Sequence, residues 1–291
     1  MVTLQNDFLR VKIHPKGAEL QELVSAETGI NYMWSGDPAY WGKFSPVLFP
    51  IVGELKDNKY SYNGKQYSLA RHGFARDRVF SVEQPDQSSA VFTLNDDAES
   101  RMVYPFAFRL QLRYRLLQDQ LACSYSVLNT GDDRLWFSVG AHPAFAVPLP
   151  INNPGTNYDD YSLVFNRSTE LSRFKLKGGL ITDTTEKIAL KDGRLPLTKS
   201  LFAEDALVLK NLPDTEIRLE CSKHPHGIKF AWEGFPFFGI WAAPNAPFVC
   251  LEPWCGIADH VNHDQQLTTK EGIQSLLPGG EFIRQWQVDC F

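Results

Sequence analysis

Period-two alternation of apolar and polar residues runs through most of the chain. Between residues 109 and 116 it is strict, with Leu110, Leu112, Tyr114 and Leu116 set against Arg109, Gln111, Arg113 and Arg115. Leu121, Cys123, Tyr125 and Val127 repeat it beyond Gln118-Asp119-Gln120. The two runs predict an antiparallel hairpin with one buried and one wetter face. Asn63-Gly64, between Tyr60-Ser61-Tyr62 and Lys65-Gln66-Tyr67, predicts a second hairpin, because both central residues of a type I′ turn need positive φ. Further strands are predicted at 79–83, 90–94, 216–222, 228–232 and 282–288. A helix is predicted over 96–104, where acidic residues occupy the first turn and Pro105 stops continuation. Residues 152–160, with Pro154 and Gly155, read as a long surface loop. No repeat, low-complexity tract or linker interrupts the pattern. Many short strands without a βαβ rhythm predict an all-β sandwich in one domain over residues 1–291.

Composition and charge narrow the function classes. The 291 residues suffice for a sizeable core without disulfides or structural metals. Lys plus Arg total 29 against 34 Asp plus Glu, a formal net charge of -5. That balance gives no general attraction to nucleic acid or anionic lipid, so neither partner is expected. No run of about 18 apolar residues predicts a membrane span. Residues 1–10 lack a signal-peptide pattern, and five Cys without a CxxC suit reduced thiols, so a cytoplasmic protein is expected. The 20 Phe, 10 Tyr and 7 Trp suit a β core and also the walls of a ligand cleft.

Three segments place a proton-active side chain inside an apolar run. They are Arg71-His72-Gly73-Phe74-Ala75-Arg76, Gly140-Ala141-His142-Pro143-Ala144-Phe145 and Phe248-Val249-Cys250-Leu251-Glu252-Pro253-Trp254. A buried carboxylate or imidazole either has a dedicated partner or does proton work, since burial disfavours its charged form. Singly, each has an ordinary explanation as a satisfied core histidine or an Arg-paired glutamate. Other chemistries have less support. There is no G-x-S-x-G elbow and no Cys in an activating motif. His224-Pro225-His226 and the pair His260 and His263 sit among polar loop residues and read as solvated rather than metal-binding. Gly178-Gly179 and Gly279-Gly280 lack the strand-to-helix context of a phosphate loop.

Taken in order, Leu48-Phe49-Pro50-Ile51-Val52-Gly53, the 60–67 hairpin, His72-Gly73-Phe74-Ala75-Arg76, Gly140-Ala141-His142-Pro143 and Leu251-Glu252-Pro253-Trp254 resemble the aldose 1-epimerase (galactose mutarotase-like) superfamily, in particular its LacX-like branch. The likeness extends from Gly17-Ala18-Glu19-Leu20 to Pro278-Gly279-Gly280. It implies a large antiparallel β-supersandwich with few short helices and a sugar in an open cleft. It also implies His142 as general acid on the ring oxygen, Glu252 as general base on the anomeric hydroxyl and His72 as an assisting histidine. Asp205 matches an aspartate that binds sugar hydroxyls. Galactose mutarotases proper carry an Asn-Arg pair after the glycine matching Gly53, whereas this chain reads Glu54-Leu55-Lys56-Asp57-Asn58-Lys59. Arg71 and Arg76 are the candidate replacements. Trp254 and Trp241, with Phe235, Phe237 and Phe238, are candidates for an apolar wall, with a core position the ordinary alternative for each.

The resulting expectation is a cofactor-independent, metal-independent aldose mutarotase acting on a hexose as a monomer or weak dimer. Two alternatives stay open: a hexose-phosphate mutarotase with Arg71 and Arg76 on the phosphate, and a non-catalytic carbohydrate-binding protein on the same scaffold. A glycosidase fits less well, since its usual mechanism needs two carboxylates flanking one bond.

Overall fold

The strict alternation at 109–116 becomes the strand Phe108–Leu117, paired antiparallel with Gln120–Asn129 in one unbroken register. Its apolar phase is buried throughout, from Phe108 to Leu116. The turn is one residue shorter than predicted, because Gln120 already pairs with Leu117 and Gln118 alone takes a positive φ, +56°. Asn63 and Gly64 have φ of +48° and +74° and join Lys59–Tyr62 to Lys65–Ser68, as a type I′ turn requires. The structure, a computed structural model, describes residues 1–151 and 155–291. Residues 152–154 of the predicted surface loop therefore lie outside the described residues.

Two antiparallel sheets carry the architecture. The first has nine strands, running from Arg194–Pro196 through Tyr161–Phe165, Glu216–Cys221, Ile228–Glu233, Glu281–Cys290, Gln120–Asn129, Phe108–Leu117 and Ser89–Asn95 to Ser81–Asp86. The predicted strand at 79–83 begins at Ser81, since Val79 is exposed and only bridges to Lys16. The second sheet has seven strands, centred on Phe237–Trp241 and Phe248–Cys255. The sheets meet through aromatic side chains, with Trp232 and Phe238 ring centroids 4.2 Å apart and Phe230 6.3 Å from Phe238. A continuous cluster of buried apolar residues extends from Leu4 to Val288.

Both faces of the second sheet are covered at its centre, which is why Phe237–Trp241 and Phe248–Cys255 read as largely apolar runs. Phe238, Ile240, Leu207, Leu209 and Leu251 face the other sheet. Phe237, Val208 and Trp254 belong to a separate apolar cluster on the opposite face. Some strands lie where the sequence pattern assigned none, and Gly178-Gly179 is, as read, no phosphate loop. Leu9–His14 and its neighbours Val2–Gln5 and Glu19–Ser25 form a three-stranded sheet. Gly178 and Gly179 are the tight turn between Glu170–Lys177 and Leu180–Ala189, whose terminal pair is Lys177 and Leu180. The predicted 96–104 helix is Ala98–Val103, capped by the Asp97 side chain accepting from the Ser100 N–H. Among the described residues no helix is long and apolar enough to cross a membrane.

Candidate active site

The strand Phe248–Cys255 is buried at every position, and its pairing explains the site. One edge is continuous with Phe237–Trp241. The other is paired in two pieces, Val139–Gly140 and Ala144–Ala146. The pairs Gly140 with Trp254 and Ala144 with Cys250 share one register, so the gap between them sets His142 against Glu252. Backbone bonds from the Ala141 N–H to Pro253 O, 3.1 Å, and from the Leu251 N–H to Pro143 O, 3.1 Å, hold the gap closed. Cross-strand neighbours on one face meet side by side. Here His142 Nε2 lies 3.2 Å from Glu252 Oε2.

Both groups are nearly out of water, Glu252 at 2% exposure and His142 at 8%. Burial pushes the Glu252 carboxyl well above the usual range; the neighbouring Trp254 indole N–H and Arg71 oppose that rise, while Asp205 adds to it. Burial also lowers the His142 imidazole, to about 3. The pair therefore favours one proton on the carboxyl and a neutral ring. Among the described residues no Lys or Arg forms an ion pair with Glu252. Trp41 stacks on the His142 ring at 5.1 Å and 27°, and Trp241 meets it edge-on at 5.7 Å. The Trp254 indole lies across two flanking glycines. A Cβ on Gly239 would come within 2.4 Å of it, and one on Gly140 within 2.7 Å.

His72 is held differently, on a loop with φ +68°. Its Nδ1 accepts the Gly53 N–H at 3.1 Å, and its own N–H donates to Gly53 O at 2.9 Å. With Nδ1 an acceptor, the proton of the neutral ring sits on Nε2. Burial lowers the ring well below the usual range, and His142, Arg76 and Arg71 add to the effect, so it stays neutral. Gly53 has φ +73°, and a Cβ there would approach Ala258 Cα to 2.5 Å, which reserves the position for glycine.

These side chains line one cleft of about 190 Å³ on the outer face of the second sheet. His72, His142, Glu252, Asp205, Arg71, Arg76 and Trp254, all singled out from sequence, are in its lining. The two arginines differ. Arg71 donates to Glu54 Oε2 at 2.7 and 3.1 Å. Arg76 donates to Arg71 O at 2.8 Å, has Asp77 no nearer than 3.8 Å, and keeps a buried Nε without a partner. Asp205 sits at φ +90°, its carboxylate accepting the Ala206 N–H at 2.7 Å. Trp241 joins Trp254 in the wall, whereas Phe235 and Phe238 belong to the core between the sheets.

Over residues 1–287 the chain matches the aldose 1-epimerase family model. The chain belongs to the aldose 1-epimerase family. It is 30% identical over 288 residues to Protein LacX of Lactococcus lactis subsp. lactis, in both its plasmid and chromosomal forms, covering 95% of each chain. A galactose mutarotase related enzyme from Lactobacillus acidophilus superposes with a TM-score of 0.93 at 36% identity, over 99% of this chain and 96% of that one. A galactose mutarotase-like protein from Lactobacillus casei ATCC 334 superposes with a TM-score of 0.92 at 31% identity, over 100% of both. The fold of this aldose 1-epimerase family member is thus galactose mutarotase-like, as the sequence resemblance implies.

One aromatic lining group of this family member escapes the sequence reading: Trp41 comes from an irregular segment with no periodicity to mark it. Cys250, fully buried on the same strand as Glu252, is not part of the lining. The remaining histidines are engaged elsewhere. His263 is only 10% exposed at its side chain and lies 3.3 Å from Asp259, so it is not the solvated group its loop suggests. His224 Nε2 meets the Tyr161 hydroxyl at 2.9 Å.

Proposed function

We propose that this chain is a cofactor-independent mutarotase that interconverts the α and β anomers of a free aldohexose. The observation that carries the reading is the His142–Glu252 pair, a buried imidazole and carboxyl 3.2 Å apart and free of any cationic partner among the described residues. Opening a hemiacetal removes one proton at the anomeric hydroxyl and delivers one to the ring oxygen. With the shared proton on His142, the Glu252 carboxylate accepts from the anomeric hydroxyl while the imidazolium donates to the ring oxygen. Electrons of the breaking C–O bond go to the ring oxygen, and the new carbonyl forms at the anomeric carbon. Opening leaves Glu252 protonated and His142 neutral, the arrangement that burial favours. Rotation about the adjacent C–C bond and the reverse transfers close the other anomer. Such acid and base groups each contribute roughly 10²–10⁴-fold.

The surroundings fit a neutral sugar. His72 presents Nε2–H as a donor near the ring oxygen, Asp205 accepts from hydroxyls, and the Arg76 guanidinium, in the lining, donates to them. Trp254 and Trp241 offer apolar faces, a usual complement to a few directed polar groups. Glu54 already neutralises Arg71, and Asp205 offsets Arg76 in the lining, so the cleft favours an uncharged hexose over a phosphorylated one.

The test is anomer exchange followed by NMR on freshly dissolved α-galactose and α-glucose, with the native protein and with Glu252→Gln. Acceleration by the native protein, falling roughly 10²–10⁴-fold in the variant, is the expected result. Acceleration of a hexose phosphate alone would replace the substrate. Sugar binding without acceleration of any of them would refute the enzyme reading in favour of a carbohydrate-binding protein.

A further inference from the structure

Cys250 takes no part in these proton transfers, yet it stands beside both groups that do. It lies two residues before Glu252 on the same face of Phe248–Cys255 and pairs across the sheet with Ala144, two residues from His142. Its Sγ, a ring nitrogen of His142 and a carboxylate oxygen of Glu252 all lie within 4.8 Å of one another, and all three residues are buried. Imidazole, thiolate and carboxylate together are a donor set for zinc-like cations.

The spacing supports that match. Nitrogen and oxygen ligands about 2.0–2.1 Å from a tetrahedral zinc stand about 3.3 Å apart. The His142–Glu252 contact already measures 3.2 Å. A thiolate at a Zn–S distance of about 2.3 Å completes the triangle when sulfur closes to about 3.6 Å from the nitrogen. With the donor atoms within 4.8 Å of one another, this adjustment is at most about 1.2 Å from the present cluster. His142 and Glu252 line the cleft, so an ion has a path to the three donors.

We propose that His142, Cys250 and Glu252 form an inhibitory site for a thiophilic divalent cation, Zn²⁺ or Cd²⁺. Only the word inhibitory rests on the mutarotase reading; the binding itself does not. On binding, Cys250 releases its thiol proton and the His142–Glu252 pair releases the proton it shares, both to solvent. Metal–sulfur, metal–nitrogen and metal–oxygen bonds form, with no change of oxidation state. Two anionic ligands and a neutral imidazole balance the dication, so the buried complex carries no net charge. The fourth position opens on the cleft. Mg²⁺ and Ca²⁺, which take all-oxygen ligand sets, are excluded by the same chemistry.

The test titrates the native protein, Cys250→Ala and Glu252→Gln with Cd²⁺. Equilibrium dialysis gives the stoichiometry, and the ultraviolet thiolate-to-cadmium absorption reports sulfur ligation. The expected result is one Cd²⁺ per native chain with the thiolate band, and loss of the band in Cys250→Ala. Glu252→Gln, close in shape to the native side chain, should bind roughly 10–100-fold more weakly while keeping the band. In anomer exchange, Zn²⁺ should inhibit the native protein. Cys250→Ala should keep the basal rate and need at least about 10-fold more Zn²⁺. A thiolate band that persists in Cys250→Ala, or Cd²⁺ binding equal in all three proteins, overturns the proposal. Because the Cd²⁺ readouts need no turnover, failure of the mutarotase reading would not be mistaken for failure of the site.

Discussion

Glu252 and Asp259 are carboxylates seven residues apart, buried to 2% and 1% exposure, and their surroundings are opposite. Asp259 receives Lys270 Nζ at 2.8 Å and the Lys56 N–H at 2.9 Å, with His263 Nδ1 at 3.3 Å. Its own N–H donates to Glu54 O at 2.8 Å, so the cluster ties the 259–270 segment to the loop behind the cleft. Asp214 is equally engaged, accepting the N–H groups of Asn166, Arg167 and Ser168 together with the Ser168 hydroxyl. Among the described residues Glu252 has no ion pair with a Lys or Arg; the group 3.2 Å away is an imidazole that can hold or release the same proton. Burial alone does not mark a working carboxylate; burial without a fixed cation or backbone donors does.

The largest expected effect comes from removing the cation at Asp259. Lys270→Met leaves an uncompensated buried charge and should cost about 3–5 kcal/mol of stability. Thermal or urea unfolding would show it, and a loss below about 1 kcal/mol would erase the contrast between the two carboxylates. Next is Gly53→Ala, which places a Cβ against Ala258 at positive φ and displaces the donor that fixes His72. A stability cost of about 1–3 kcal/mol is expected. A lower anomer-exchange rate in the fraction that remains folded is expected with it, and wild-type exchange would deny His72 its orientation.

The third effect, which shows as a slope with pH, is the most diagnostic. The folded Glu252 carboxyl keeps its proton above 4.5, where the unfolded group has lost it. The native state then binds more protons, and its stability falls as pH rises, by at most about 1.4 kcal/mol per pH unit. Glu252→Gln removes that slope, so its advantage in Tm over the native protein should widen between about pH 5 and pH 8. The lowered His142 works oppositely: between about 3 and 6.5 the unfolded ring holds a proton the folded one refuses, and stability rises with pH. Calorimetry at several pH values separates the two, and a flat Tm difference would show that Glu252 is as well compensated as Asp259.

Much of this was legible in residue order. Strands with one wet face announce themselves by alternation, as at Phe108–Leu117, and Asn63-Gly64 names its own turn. Leu9, Val11 and Ile13 alternate with Arg10, Lys12 and His14 in the same way, so that strand too is written in the residue order. The hairpin Glu170–Lys177 and Leu180–Ala189 was not legible, because much of Leu180–Ala189 is exposed and polar on both phases. The three proton-active islands were visible as chemistry embedded in apolar runs. Their convergence was not, since it depends on the register between Gly140 and Trp254 across more than a hundred residues. Trp41 has no local pattern at all; only the packing of its ring on His142 gives it meaning.

The broken edge of Phe248–Cys255 has a consequence for how sugar preference can diverge in such a protein. The proposed acid and base are fixed by a ladder register that any shift of the strands would destroy. Trp41, Arg71, Arg76 and Asp205 reach the same cleft from separate connecting segments that can be lengthened or exchanged independently. On the proposed reading, the His142–Glu252 pair and most of the contacts that would select the sugar are therefore carried by different parts of the chain, with His72 alone sharing a segment with Arg71 and Arg76. Grafting the 37–46 or 203–206 segment from a relative offers a route to a new sugar with the proton chemistry left in place.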